Sequence, residues 1–126
     1  MAMAEIKSLD FLMRRYILLR DKYCQRCGIP YNLECAHCFR RGHMNTRYDD
    51  RNCTILCTKC HLYLDTHPKE KKEFFKARLG EQAFDLLRAR ANEVGRPDKK
   101  AIELWLKKEL KEMGAKECYE GLRKKN

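Results

Sequence analysis

Cys53-Thr54-Ile55-Leu56-Cys57-Thr58-Lys59-Cys60-His61 changes its structural period part-way along. The first four residues suit a short β-strand, and a helix is predicted to start near Cys57 or Thr58 and to carry Cys60, His61, Leu64 and Asp65. Cys57-x-x-Cys60 therefore sits at a strand-to-helix junction. A matching pair, Cys24-x-x-Cys27, lies upstream. Four thiolates suit one tetrahedral zinc, and such a closed shell folds a chain rather than catalysing. The span between the two pairs exceeds the ~15–20 residues of a simple zinc ribbon. A hairpin of two short strands is the natural occupant of that space.

The first of those strands falls on Leu33-Glu34-Cys35-Ala36-His37-Cys38-Phe39, with Cys35, His37 and Phe39 on one face. A third pair, Cys35/Cys38, competes for the zinc on spacing alone. Within a strand its two side chains point to opposite faces, which disfavours joint chelation. Cys35, Cys38 and Cys53 then read as small core-filling residues. Turn signals fall at Gly28, Pro30 and Gly42-His43-Met44-Asn45.

Outward from this centre the chain reads as helical. Residues 5–23 carry apolar side chains near helical spacing, with Ser8 as a candidate N-cap. Beyond Pro68, one helix runs to Gly80, a second spans roughly Glu81 to Ala91, and a third follows Asp98 as N-cap. The last places Ile102, Trp105, Leu106, Leu110 and Met113 on one stripe, for docking on the domain or on a second subunit. The expected fold is α+β: one domain over 1–126, with an N-terminal helix (1–23), a zinc-bracketed core (24–67) and a basic helical extension (68–126).

The 126 residues carry a net charge of +10. A surplus of that size points to a polyanionic partner, because Lys and Arg release the counterions condensed on phosphates. No apolar run reaches the ~18–20 residues of a membrane span. The start, Met1-Ala2-Met3-Ala4-Glu5, lacks the basic and apolar parts of a secretory signal, so a cytoplasmic, reducing setting is expected. There the presence of eight cysteines favours metal-bound thiolates over disulfides.

His37 in the first strand, Asn52 before the second, and Cys57-Thr58-Lys59-Cys60-His61 entering a helix together resemble the HNH (ββα-metal) endonucleases. The flanking cysteine pairs resemble those of phage endonuclease VII. The segments Ala36-His37-Cys38-Phe39-Arg40-Arg41-Gly42 and Thr46-Arg47-Tyr48-Asp49-x-x-Asn52 are closest to the NinG/Rap-type phage recombination nucleases. The resemblance covers roughly residues 20 to 95. It implies a nuclease that hydrolyses DNA phosphodiester bonds, on branched recombination intermediates in the closest group. His37 would be the general base, Asn52 would brace the loop that orients it, and His61 would hold a catalytic Mg²⁺ or Mn²⁺.

Two positions depart from the pattern. Ala36 stands where many HNH enzymes place a metal ligand, and His61 where the NinG/Rap group commonly has Asn. Asp65, one helical turn after His61, is the preferred candidate to complete the metal site, with Asp49 the alternative. Arg40, Arg41, Arg47 and Arg51 cluster between His37 and Asn52 and suit phosphate contacts, since guanidinium matches phosphate oxygens in a bidentate fork. Lys69, Lys71, Lys72 and Lys76 read better as a solvated face. Two rival readings stand: a nicking or restriction-like HNH nuclease on ordinary duplex, and a zinc module that binds nucleic acid without cutting it. A homodimer, with the Trp105 stripe as contact, would suit symmetric cutting.

Overall fold

The computed structural model describes residues 3–93 and 95–114. Helix α1 (Met3–Asp21) leads into strand β1 (Leu33–His37), short helix α2 (Met44–Arg47), a 3₁₀ turn (Asp50–Asn52) and strand β2 (Cys53–Cys57). Helices α3 (Thr58–Asp65), α4 (Pro68–Leu79), α5 (Glu81–Ala91) and α6 (Lys99–Glu112) complete the order. This is a mixed helix-and-strand architecture, compatible with the α+β class. Cys118 lies outside the described residues.

β1 and β2 pair antiparallel, with His37 opposite Cys53, Cys35 opposite Ile55 and Leu33 opposite Cys57. Alternation then gives the sheet two buried faces. Cys35, Cys53 and Ile55 join a core built on Leu9, Met13 and Ile17 of α1 and Leu106 and Leu110 of α6. Ala36 and Leu56 face the other way, into a second cluster with Cys24, Cys57, Cys60 and Leu64. Each fully buried Leu or Ile contributes about 1.5–3 kcal/mol of hydrophobic stabilisation. The sheet is thus held between α1/α6 on one side and the α3 cluster on the other.

A buried carboxylate fastens α1 to this sheet. Asp21 accepts from Arg20 Nε (2.8 Å) and from Arg78 Nη2 (2.9 Å), while Asp21 Oδ2 accepts from the Ile55 backbone N–H (2.9 Å). Arg20 also donates to the carbonyls of Asp50 and Cys53. Burial raises the Asp21 carboxyl, but Arg20, the Ile55 amide and Arg78 outweigh it and hold the pKa below its ordinary value.

The helix limits of the C-terminal half follow their sequence signals. Pro68 opens α4, where its missing N–H is harmless, and Gly80 ends it at φ 91, a region L-residues rarely adopt. Asp98 caps α6 by accepting from the Ala101 N–H at 3.0 Å.

Several expectations need correction. Ser8 is not an N-cap but lies exposed inside α1, which starts at Met3. β1 ends at His37, so Phe39 is outside it, and the segment read as a turn at Gly42–Asn45 runs into α2. The α6 stripe lies on α1: Leu106 and Leu110 are buried there, and the Trp105 ring sits 5.1 Å from that of Tyr16. That is the docking on the domain that the stripe allowed, with Trp105 and Met113 each left 37% exposed.

Candidate functional site

The cysteine quartet assembles from both sides of the sheet's open end. Gly28 at φ 85 turns the chain so that its N–H donates to the Cys24 carbonyl (2.8 Å), and the Cys27 N–H points at Cys24 Sγ (3.4 Å). At the start of α3 the same device recurs: Cys57 is the N-cap, and the Cys60 N–H points at its Sγ (3.4 Å). The ligand atoms of Cys24, Cys27, Cys57 and Cys60 all lie within 4.8 Å of one another. Cys27 Sγ and Cys57 Sγ are 3.7 Å apart. Two sulfurs bonded at about 2.3 Å to one tetrahedral zinc sit about 3.7–3.8 Å apart, so the spacing fits that ion. Burial raises the Cys24 thiol, but backbone N–H groups at Cys27, Cys57 and Arg26 outweigh it and bring the pKa to about 6. The quartet is a possible metal site whose donors match structural zinc.

His61, on the first turn of α3, is held from both sides. Its Nδ1 lies 2.7 Å from Glu34 Oε1 and its Nε2 lies 3.3 Å from Asp65 Oδ2. Glu34 also accepts from Thr58 Oγ1 at 3.1 Å. A carboxylate on one ring nitrogen, orienting the other, is the usual support of a metal-binding histidine. Two ligands at about 2.1 Å from one ion are about 3.0–3.4 Å apart between right-angle and tetrahedral geometry, so Nε2 and Asp65 Oδ2 fit as a pair. Asp49 is committed elsewhere. Its carboxylate is bound by Arg51 at 2.9 Å and faces Arg90 at 3.5 Å.

An open groove of about 770 Å³ gathers the remaining candidates. His37, His61 and Asp65 line it, together with Arg40, Arg41, Lys71, Lys72 and Arg88. β1 supplies lining residues and β2 supplies none, so the groove follows the unpaired edge of β1. His37 comes from the α1 face of the sheet and His61 from the α3 side, and both line this groove. Burial, with the Arg41 charge second, depresses the His37 pKa to about 4, so its ring is neutral near pH 7. The ring is hydrogen-bonded to the Arg47 backbone.

Asn52 is fully buried and holds the chain just after His37. Its Oδ1 accepts from the Phe39 N–H (2.8 Å), its Nδ2 donates to the Phe39 carbonyl (3.1 Å), and its own carbonyl accepts from the Cys38 N–H (2.7 Å). These bonds brace the strand end that carries His37.

Compared with known proteins, the chain matches no family model, no curated protein and no solved structure. Among the described residues, no helix is long and apolar enough to cross a membrane.

The four arginines divide. Arg40 and Arg41 are exposed on the groove. Arg47 instead forms a fork onto Asp10, at 3.0 and 2.6 Å, and Arg51 is paired with Asp49. Lys71 and Lys72, read as a solvated face, line the groove, with Lys71 on Asp65 at 2.9 Å. Glu34 is the residue that sequence reasoning missed. Alternation places it with Ala36 on the face that α3 covers, so an acidic side chain there was a findable partner for His61.

Proposed function

We propose that this chain is a metal-dependent endonuclease of the HNH type, hydrolysing DNA phosphodiester bonds. One observation carries the reading: His37, the His61–Asp65 pair and a rim of Arg40, Arg41, Lys72 and Arg88 line a single groove. The rim supplies fixed positive charge along which a phosphate backbone can lie, without a set of groups arranged to read bases. His37 takes the proton from the attacking water, and the Arg47 backbone bond and the Asn52 brace keep its ring in place. His61 and Asp65 are the residues to hold a divalent ion, oriented by Glu34. Bound there, Mg²⁺ or Mn²⁺ supplies Lewis-acid stabilisation of the charge that develops on the phosphate and leaving oxygen. The quartet holds zinc and keeps α3 docked on the sheet.

Zinc-loaded protein incubated with supercoiled plasmid and with a synthetic four-way junction, with and without Mg²⁺ or Mn²⁺, tests this. Metal-dependent cutting that disappears in a folded His37→Ala protein supports the nuclease, and preference for the junction assigns it to branched recombination intermediates. Equal DNA binding by both proteins with no cutting of either substrate favours the second reading, a zinc module that binds nucleic acid. That alternative rests on the basic rim and the quartet alone.

A further inference from the structure

The cysteines outside the quartet are not spread evenly through the core. Cys35 and His37 share one face of β1, and Cys53 lies directly across the ladder from His37 on β2. One ligand atom from each of the three lies within 4.8 Å of the other two. Their backbones are fixed by the strand pairing, so the three donors are gathered before any ligand arrives.

The geometry points to a second metal site, of Cys₂His type, formed by Cys35, His37 and Cys53 and suited to a thiophilic divalent ion such as zinc. Two thiolates and one imidazole are the donor set that zinc accepts with a fourth position left for an exchangeable ligand. Donors on one zinc stand about 3.3–3.8 Å apart, a separation that small rotamer adjustments reach from the observed one. Charge also balances. Two thiolates and a dication sum to zero, which suits a site whose cysteines are buried, at 7% and 1% exposure. Binding releases the two thiol protons to solvent. Cys35 and His37 both line the groove, so an ion can reach the trio from solvent there. Cys38, beyond the end of β1, is not among the gathered donors.

The consequence for activity rests on the nuclease reading. A His37 nitrogen bound to zinc has no lone pair for water, so zinc in excess of the quartet represses cutting that Mg²⁺ supports. Neither Cys35 nor Cys53 takes part in the proposed hydrolysis. Their replacement therefore separates repression from catalysis.

The test begins with metal content. Protein with its quartet filled is equilibrated with excess Zn²⁺, freed of unbound metal and assayed for zinc per chain. Co²⁺ added in parallel reports thiolate ligation through its visible absorption. The wild type should hold about two ions per chain, and Cys53→Ala and Cys35→Ala about one. Circular dichroism and retention of the first zinc certify that each variant is folded, and either folded variant suffices. A wild type that stops at one ion, or a second ion retained by folded Cys35→Ala or Cys53→Ala, overturns the site. In the cleavage assay, micromolar zinc should repress the wild type ~10-fold or more and leave the folded variants active. Equal repression of wild type and variants overturns the regulatory role. Absence of cutting under all conditions counts against the nuclease reading, and the metal content still decides the site.

Discussion

Glu34 Oε1 and His61 Nδ1 stand 2.7 Å apart across the junction of β1 and α3. The contact joins a strand residue to a helix residue, so the His61 ring is oriented by the sheet rather than by its own helix alone. Its opposite nitrogen then faces Asp65. Carboxylates behind metal-binding histidines set ring orientation and basicity, and their loss typically costs 10–100-fold in metal affinity or activity.

Glu34→Ala should therefore raise the Mn²⁺ concentration for half-maximal cleavage by ~10–100-fold, with smaller loss at saturating metal. Glu34→Gln should fall between, because an amide oxygen still accepts from Nδ1–H. The measurement is initial rate against Mn²⁺ concentration. An unchanged metal dependence in Glu34→Ala would remove His61 from the ligand set.

Asp21 gives a pH-dependent prediction. Its folded pKa lies below the ordinary 3.8 because, against burial, Arg20, the Ile55 amide and Arg78 favour the charged form. A depressed acid stabilises the fold above its unfolded pKa and loses that contribution as pH falls through the folded value. Asp21→Asn should cost about 3 kcal/mol at neutral pH, since Arg20 and Arg78 lose their shared partner. The gap between variant and wild type should narrow as pH falls below 3.8, because the unfolded carboxyl takes up its proton before the folded one does. Urea unfolding at pH 7 and at pH 3 reads both; a gap that stays constant would show that charge is not the cause.

Much of this arrangement was legible in the chain. Cys-x-x-Cys pairs at a turn and at a strand-to-helix junction declare their chemistry because ligand spacing is local, and so does Asp98 at the head of α6. Pro68 and Gly80 mark helix limits for the same reason. Non-local pairings were harder. Nothing around Arg47 announces that Asp10, a helix away, neutralises it, nor around Arg78 that it reaches Asp21. The α2 segment hides because Gly42 and Asn45 read as a turn, whereas tertiary contacts such as Asn45 Nδ2 to the Glu93 carbonyl (2.8 Å) hold it. Glu34 was readable from strand alternation once α3 is placed over that face.

Asn52 makes a separate prediction about position. Asn52→Ala removes two side-chain bonds to Phe39 and leaves buried backbone groups short of a partner, at about 1–3 kcal/mol. Cleavage should fall further than stability implies, up to ~100-fold, because the strand end that aims His37 loses its brace. Asn52→Asp keeps the acceptor but sets a buried carboxylate oxygen against the Phe39 carbonyl, so it should be no better tolerated than Ala at neutral pH. Thermal melts beside rates at saturating Mn²⁺ separate the two effects. A loss of rate that merely tracks unfolding would make Asn52 a folding residue alone.

The arginines supply the sharpest contrast, because residues of one type and one short segment have different partners. Arg40 and Arg41 are exposed on the groove, while Arg47 is forked onto Asp10 at 2.6 Å. Removing one Arg–phosphate interaction should flatten the salt dependence of DNA binding by about 0.9 in log–log slope. Arg40→Ala/Arg41→Ala should therefore reduce the slope by about 1.8 with little change in melting temperature. Arg47→Ala should do the reverse: about 2 kcal/mol less stability, from its missing charged hydrogen bonds, and a slope close to wild type. Binding isotherms across a salt series, run beside thermal melts, measure both quantities. If Arg47→Ala flattened the slope as much as the double variant, the Asp10 pair would have to open on DNA, and the phosphate surface would extend past the groove onto α1.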